Sequence, residues 1–267
     1  MWKKITISIF IIAVFGFILK FALPGKLKPQ PAETTNCDSL FEQHILNIYK
    51  EAGLDSAKMN FDLFRKGMTG YYNLMARDQI DKPILSLIDF SLPSTLERLW
   101  VVDVYERKLL FNSLVAHGQN TGELFAQQFS NNAESHMSSL GFYTTSSQYN
   151  GKHGLSLVLD GVEEGFNDNA RSRAVVIHSA DYVSENVINA VGRLGRSHGC
   201  PAIPQAICED LICTICDRSA LFVYFPDANY LANSKYLEKS TAIMEFQRNS
   251  PEVCPGIVKK VGLANTE

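Results

Sequence analysis

From residue 84 onward the chain is a succession of short apolar, β-branched runs cut apart by glycine-containing turns. This pattern restricts the fold more than any other feature. Residues 84–90, 99–105, 109–116, 141–149, 155–159, 174–178 and 220–225 are each of strand length. The second and third runs flank the polar Glu106-Arg107-Lys108, the pattern of a hairpin. Short strands joined by such turns predict a mainly β body, a sandwich or barrel. Residues 183–191 and 206–216 read as helices on its edges. An apolar content of 46% supplies the core such a body needs.

Ahead of the β body the texture is helical. Asp38 or Ser39 can cap a helix that carries Leu40, Phe41, Ile45, Ile48 and Tyr49 at helical spacing and ends at Gly53. A second helical pattern, about 56–75, puts Met59, Leu63, Phe64, Met68 and Tyr72 on its inner face. Gly67 and Gly70 count against it on propensity. At the N-terminus, Lys3 and Lys4 precede an uncharged apolar run at 5–19, and Lys20 interrupts it. A basic start before a short apolar run is the layout of a secretory signal, and the run is short of the ~20 residues of a membrane span. Five parts are expected: a signal or anchor segment at 1–23, a Pro-rich linker at 24–37, a helical preface at 38–80, the β body at 81–240 and a C-terminal tail at 241–267. This organisation predicts an exported protein of the periplasm or cell envelope, touching membrane only through its first segment. The net charge of −3, with no basic stripe, gives no reason to expect a nucleic-acid partner.

The six cysteines are at 37, 200, 208, 213, 216 and 254, and in an exported chain they can pair. Cys213-Thr-Ile-Cys216 is a single knuckle inside an apolar run. Structural zinc favours paired knuckles, so these read as buried helix thiols, and no metal or cofactor is expected.

One of the apolar runs, Val175-Val176-Ile177, ends in His178-Ser179. Twenty-two residues after that histidine lies Cys200, within GRSHGCPAIP at 195–204. A strand end holds a side chain on a rigid element at the edge of a cleft. A thiol becomes a nucleophile when a base takes its proton, and His178 can take it once a third group fixes the ring tautomer. Ser179 can fix it through its carbonyl or its hydroxyl. Gly199 permits a tight turn, whose Gly199 and Cys200 N–H groups can face an oxyanion. His198 is a rival base, but residues two apart on one turn rarely point at each other, so it reads with Ser197 as a wall of the site. Arg196 suits a substrate carboxylate, or is an exposed turn charge. His117, Tyr149 and His153 read either as hairpin-turn residues or as substrate contacts.

The pattern resembles the L,D-transpeptidase (YkuD-like) catalytic domain, and most of all its murein L,D-transpeptidase branch. The segments carrying the likeness are VAHGQNTGE (115–123), FSN (129–131), SSLGFY (138–143), YNGKHGLSLVLDG (149–161), VVIHSADYVS (175–184) and GRSHGCPAIP. The resemblance implies a β-rich fold, Cys200 as nucleophile, His178 as catalytic histidine and Ser179 as the residue that orients it, with Ser197, His198 and Gly199 completing the hallmark. It implies a peptidoglycan stem peptide as substrate, a thioester acyl-enzyme and acylation by carbapenems. Two departures fit the same branch: Ala202 stands where better-known members carry a polar or basic residue, and the His-to-Cys gap is longer. A carboxypeptidase or other Cys/His peptidoglycan hydrolase would use the same residues, and a non-catalytic wall-binding module is the reading from another class.

Overall fold

The computed structural model describes residues 32–152, 154–251 and 254. The signal or anchor segment at 1–23 and most of the linker lie outside them, as does His153. Helix α1 (Ala32–Glu51) already begins within the span expected to be linker. Helix α2 (Phe61–Ala76) starts where Asn60 Oδ1 accepts the N–H groups of Asp62 and Leu63, at 2.8 and 3.2 Å. A short polar side chain so placed satisfies two of the four N–H groups that a helix start leaves unpaired. Among the described residues no helix is long and apolar enough to cross a membrane.

Among the described residues eight strands follow: β1 (Ile84–Asp89), β2 (Leu99–Asp103), β3 (Lys108–Ser113), β4 (Gly141–Gly151), β5 (Gly154–Gly161), β6 (Val176–Ser179), β7 (Ala202–Ile203) and β8 (Ala220–Tyr224). They form one sheet in the order β3-β2-β1-β8-β4-β5-β6-β7. The β1–β8 and β6–β7 pairs are parallel and the others antiparallel. Beyond β3 the chain reaches Ala116, whose N–H donates to Ala202 O at 2.8 Å, while the Ala202 N–H donates to Ala116 O at 3.3 Å. That bridge joins the two outermost strands, so the sheet is nearly closed into a barrel and little edge is exposed. Every run expected as a strand overlaps one.

The helical preface lies on the sheet and shares its core. Phe41, Ile45, Ile48, Phe64 and Met68 are fully buried in the same cluster as Leu85, Leu87, Phe142 and Phe222. The glycines that counted against α2 are what let it approach: a Cβ on Gly70 would lie 1.9 Å from the Phe142 ring, and one on Gly67 2.4 Å from Leu87. Close seating therefore outweighs the roughly 1 kcal/mol propensity cost of a helical glycine. Trp100 Nε1 donates to Ala57 O at 3.0 Å and ties the preface to β2.

Helices α3 (Glu185–Val191) and α4 (Cys208–Ile215) fall where edge helices were expected. Helix α5 (Ala228–Asn233) follows β8, and helix α6 (Lys239–Asn249) runs into the first third of the expected C-terminal tail. Helix α6 belongs to the core, because Ala242 and Phe246 are fully buried and the Phe246 ring meets Phe41 and Tyr72. Asn73 Nδ2 donates to the carbonyls of Tyr236 and Glu238, at 2.9 and 2.8 Å, fixing the entry to α6 on α2. A disulfide between Cys37 and Cys254 joins α1 to the chain beyond α6.

Candidate active site

Strand β6 sets the first functional side chain. Val176 and Ile177 are buried by the core, and the strand is held between β5 and β7, with His178 opposite Ser156 on one side and Ala202 on the other. His178 is itself buried, and its Nδ1 lies 2.9 Å from Ser179 O. A carbonyl can only accept, so Nδ1 carries the hydrogen and Nε2 is the basic nitrogen of the neutral ring. Of the two ways Ser179 could orient the histidine, the structure uses the carbonyl.

The second side chain comes from the turn before β7. The Val176 N–H points to Cys200 Sγ at 3.5 Å, and the thiol points to Ala174 O at 3.7 Å. Ala174 has φ +55°, a left-handed backbone conformation uncommon for alanine. Burial pushes the Cys200 thiol above its ordinary range, and the Val176 N–H and the cations of Arg173 and Lys152 oppose that rise. Cys200 and His178 line one cavity of about 540 Å³, together with Tyr149, Lys152, Arg173, Tyr182, Arg196 and His198 among others.

The turn itself is tightly built. Gly199 has φ +123°, and a Cβ there would lie 2.7 Å from Met137 O. Its N–H donates to Ser197 Oγ at 3.0 Å, Ser197 Oγ donates to Cys200 O at 2.6 Å, and Ser138 Oγ donates to Gly199 O at 3.1 Å. The sequence reading offered the Gly199 N–H to an oxyanion; the structure corrects this, because Ser197 already holds that donor. The Cys200 N–H has no hydrogen-bond acceptor among the described residues.

The remaining expected residues divide. His198 is exposed and stacks on His136 with ring centroids 4.3 Å apart, so it forms a wall of the cavity mouth. Tyr149 is exposed and lines the cavity. Arg196 also lines it, with its guanidinium engaged by Glu123 Oε1 at 2.6 Å and Gln119 O at 3.1 Å. His117 is a correction: it does not line the cavity but is buried, accepting from Arg98 Nη2 at Nδ1 (2.8 Å) and meeting Gly122 O through Nε2 (3.2 Å). Burial and the neighbouring Arg98 lower its pKa to about 4, so it is neutral at pH 7 and serves as an internal brace. Arg173, Lys152 and Tyr182 were not anticipated. Their signal was weak: a cation shortly before the strand that ends in His178, a lysine beside Gly151, and a tyrosine four residues after His178. Tyr182 is held by its carbonyl, which accepts from the Gly195 N–H at 3.0 Å. Among the described residues no three His, Cys, Asp or Glu side chains are grouped to hold a metal ion.

The class this defines is a mainly β domain with a nearly closed sheet, helices packed on it, and a thiol and an imidazole opening on one cavity. The profile of the L,D-transpeptidase catalytic domain family matches residues 55–224. The chain belongs to the L,D-transpeptidase catalytic domain family. Similar solved structures include an L,D-transpeptidase from Mycobacterium smegmatis, with 13% identity over 54% of this chain and 59% of that one, at a TM-score of 0.33. Another is L,D-transpeptidase 3 from Mycobacterium tuberculosis in complex with a faropenem-derived adduct, with 15% identity over 54% of this chain and 60% of that one, at a TM-score of 0.33. A third, from Stackebrandtia nassauensis, has 12% identity over 72% of this chain and 92% of that one, at a TM-score of 0.33. The matched part of this chain spans 59% of the first of these structures. No curated protein matches.

Proposed function

We propose that this chain is an exported cysteine L,D-transpeptidase acting on peptidoglycan stem peptides through a thioester acyl-enzyme. The observation that carries the reading is that Cys200 and His178 open on one cavity while His178 Nδ1 is committed to Ser179 O. The Cys200 proton passes to His178 Nε2, and Sγ attacks the carbonyl carbon of the amide between the diamino residue and the terminal D-Ala. The Cys200 N–H receives the oxyanion. When the tetrahedral intermediate collapses, the C–N bond breaks, His178 returns its proton to the leaving amine, and a thioester remains. An acceptor amine then attacks the thioester and gives a proton to His178, the new amide forms, and the C–S bond breaks to release the thiolate, which is two-step nucleophilic catalysis. Export is supported by the basic and apolar start of the chain and by the Cys37–Cys254 disulfide, a bond typical of oxidising compartments.

The test is incubation of the protein with purified stem tetrapeptides, read by mass spectrometry, for wild type, Cys200→Ala and His178→Gln. A cross-linked dimer and free D-Ala from wild type, abolished by Cys200→Ala and cut about 10²–10⁴-fold by His178→Gln, is expected. Free tripeptide without dimer would assign a carboxypeptidase. Intact-mass analysis with a carbapenem gives a second readout: an adduct confined to proteins that retain Cys200 is expected. No cleavage and no adduct would leave a wall-binding module.

A further inference from the structure

We propose that Arg173 is a positioning residue of this site: its guanidinium fixes residues 130–139 against the Gly199–Cys200 turn and presents a positive charge to the sulfur. The inference rests on Cys200 being the nucleophile. Arg173 Nη1 donates to Ser130 O at 2.8 Å and Ser139 Oγ at 3.1 Å, and Nη2 donates to Met137 O at 2.7 Å and Ser135 Oγ at 3.2 Å. Met137 O is the same atom that a Cβ on Gly199 would strike, and Arg173 Nη2 would lie 3.4 Å from that Cβ. The guanidinium therefore sits directly behind the turn that carries the thiol. Residues 173–176 flank the sulfur from one side: the Val176 N–H and the Ala174 carbonyl meet it directly, and Arg173 lines the same cavity.

All four acceptors of Arg173 are neutral oxygens, and no carboxylate pairs with it among the described residues. Arg171 and Arg196, by contrast, are paired with Asp160 and Glu123. The charge of Arg173 is half-buried and has no carboxylate partner, so water screens it less than it screens an exposed cation, and it favours a forming thiolate. The other titratable or charged groups around the cavity are Lys152 between β4 and β5, Tyr149 on β4, His178 on β6, and Tyr182, Arg196 and His198 from the 180–200 stretch. Lys152 is exposed to solvent. Burial pushes the Tyr182 phenol up to about 12, so it is uncharged. Arg173 is thus the cavity cation that is neither paired with a carboxylate, as Arg196 is, nor exposed, as Lys152 is.

The pH dependence of Cys200 alkylation by iodoacetamide, followed by peptide mass spectrometry, tests this in wild type, Arg173→Lys and Arg173→Gln, with circular dichroism as the check on folding. Arg173→Gln is expected to raise the alkylation midpoint by about one pH unit and slow alkylation at pH 7 roughly tenfold. Arg173→Lys is expected to stay within a few tenths of a unit of wild type while melting earlier, because it keeps the charge and loses the fork. An unshifted midpoint in a folded Arg173→Gln protein overturns the inference, as does a Lys variant that shifts as far as the Gln variant. Should Arg173→Gln not fold, the Arg173→Lys midpoint is followed as salt is raised from about 20 to about 500 mM. A charge effect weakens over that range and the midpoint climbs; a flat midpoint overturns the inference. None of these readings needs a peptide substrate. If the midpoints move as stated and no stem peptide is cleaved, the proposed function fails and this inference stands. If stem peptides are cross-linked and the midpoints do not move, the reverse holds.

Discussion

Ser197 Oγ donates to the carbonyl of Cys200 at 2.6 Å and accepts the N–H of Gly199 at 3.0 Å, so one hydroxyl closes the turn on both sides of the Gly199–Cys200 peptide bond. Ser197 is buried in the cavity wall. Ser197→Ala would leave a buried acceptor and a buried donor unpaired, at about 1–3 kcal/mol. The expected outcome is a midpoint shift of that size in urea denaturation. Acylation should also slow by about tenfold or more, because the thiol is no longer held in register. Unchanged acylation in a folded variant would mean that the turn is positioned by its other contacts, above all Ser138 to Gly199 O.

Gly199 sits where a side chain would be strained. Its φ of +123° is one that L side chains rarely adopt, and a methyl group would lie 2.7 Å from Met137 O, which Arg173 holds in place. Gly199→Ala is expected to cost about 1–3 kcal/mol in backbone strain alone. The turn should relax by swinging Cys200 away from the Val176 N–H. Thiol alkylation kinetics check this, since a displaced Cys200 reacts at the rate of an ordinary exposed cysteine.

How far the sequence discloses this molecule can be judged residue by residue. The strands were legible because burial between a sheet and its helices selects nearly continuous apolar runs, as in Leu85-Ser86-Leu87-Ile88. Strand β7 was not, because Ala202 and Ile203 lie between prolines and are a strand only through pairing with His178, Ser179 and Ala116. Gly67 and Gly70 pointed away from a helix until Leu87 and Phe142 supplied the reason for them. Helix α6 is a polar segment whose place in the core depends on Ala242, Phe246 and partners some 170–200 residues away. Cys200 and His178 were legible as a motif. His117 looked like a polar turn residue facing a cleft, and only the buried guanidinium of Arg98 shows that it faces inward. Arg173 escaped notice because its partners are carbonyls and hydroxyls from residues 130–139, which no local pattern announces.

The brace between Arg98 and His117 makes stability depend on pH. Arg98 is fully buried, its pKa pushed down to about 9 by that burial, so it still carries its charge at neutral pH and holds the adjoining imidazole unprotonated. With the His117 pKa lowered from 6.5 to about 4, the unfolded chain binds a proton that the folded one refuses between those values. Stability from this residue is therefore fully present above pH 6.5 and is lost as pH falls toward 4, by up to about 3 kcal/mol. His117→Asn cannot be protonated, so the difference in unfolding free energy between wild type and variant should shrink or reverse across that window. Asp89 and Glu163, whose carboxyls burial raises, titrate in both proteins and cancel in the difference. Urea denaturation of both proteins at pH 7 and pH 4.5 measures it, and parallel pH profiles would exclude His117 as the titrating group.

The Cys37–Cys254 disulfide closes a loop with a sequence separation of 217 and joins α1 to the end of the described chain. Both cysteines are buried, and α1, α2 and α6 pack together between them through Phe41, Tyr72 and Phe246. Cross-linking so long a loop removes unfolded-chain entropy worth about 5 kcal/mol as an upper bound, and measured losses on removing a native bridge run to about 2–5 kcal/mol. Reduction, or Cys37→Ser with Cys254→Ser, is thus expected to lower the melting temperature by roughly 10 °C. The helical layer should loosen first, because the bridge holds that layer and not the strands. Thiol titration in denaturant gives an independent reading. The unreduced protein should show the four free thiols of Cys200, Cys208, Cys213 and Cys216, and the reduced protein all six. Six thiols in protein never exposed to a reductant, together with a melting temperature that reductant does not move, would show that the bridge does not form and would remove one of the two supports for export.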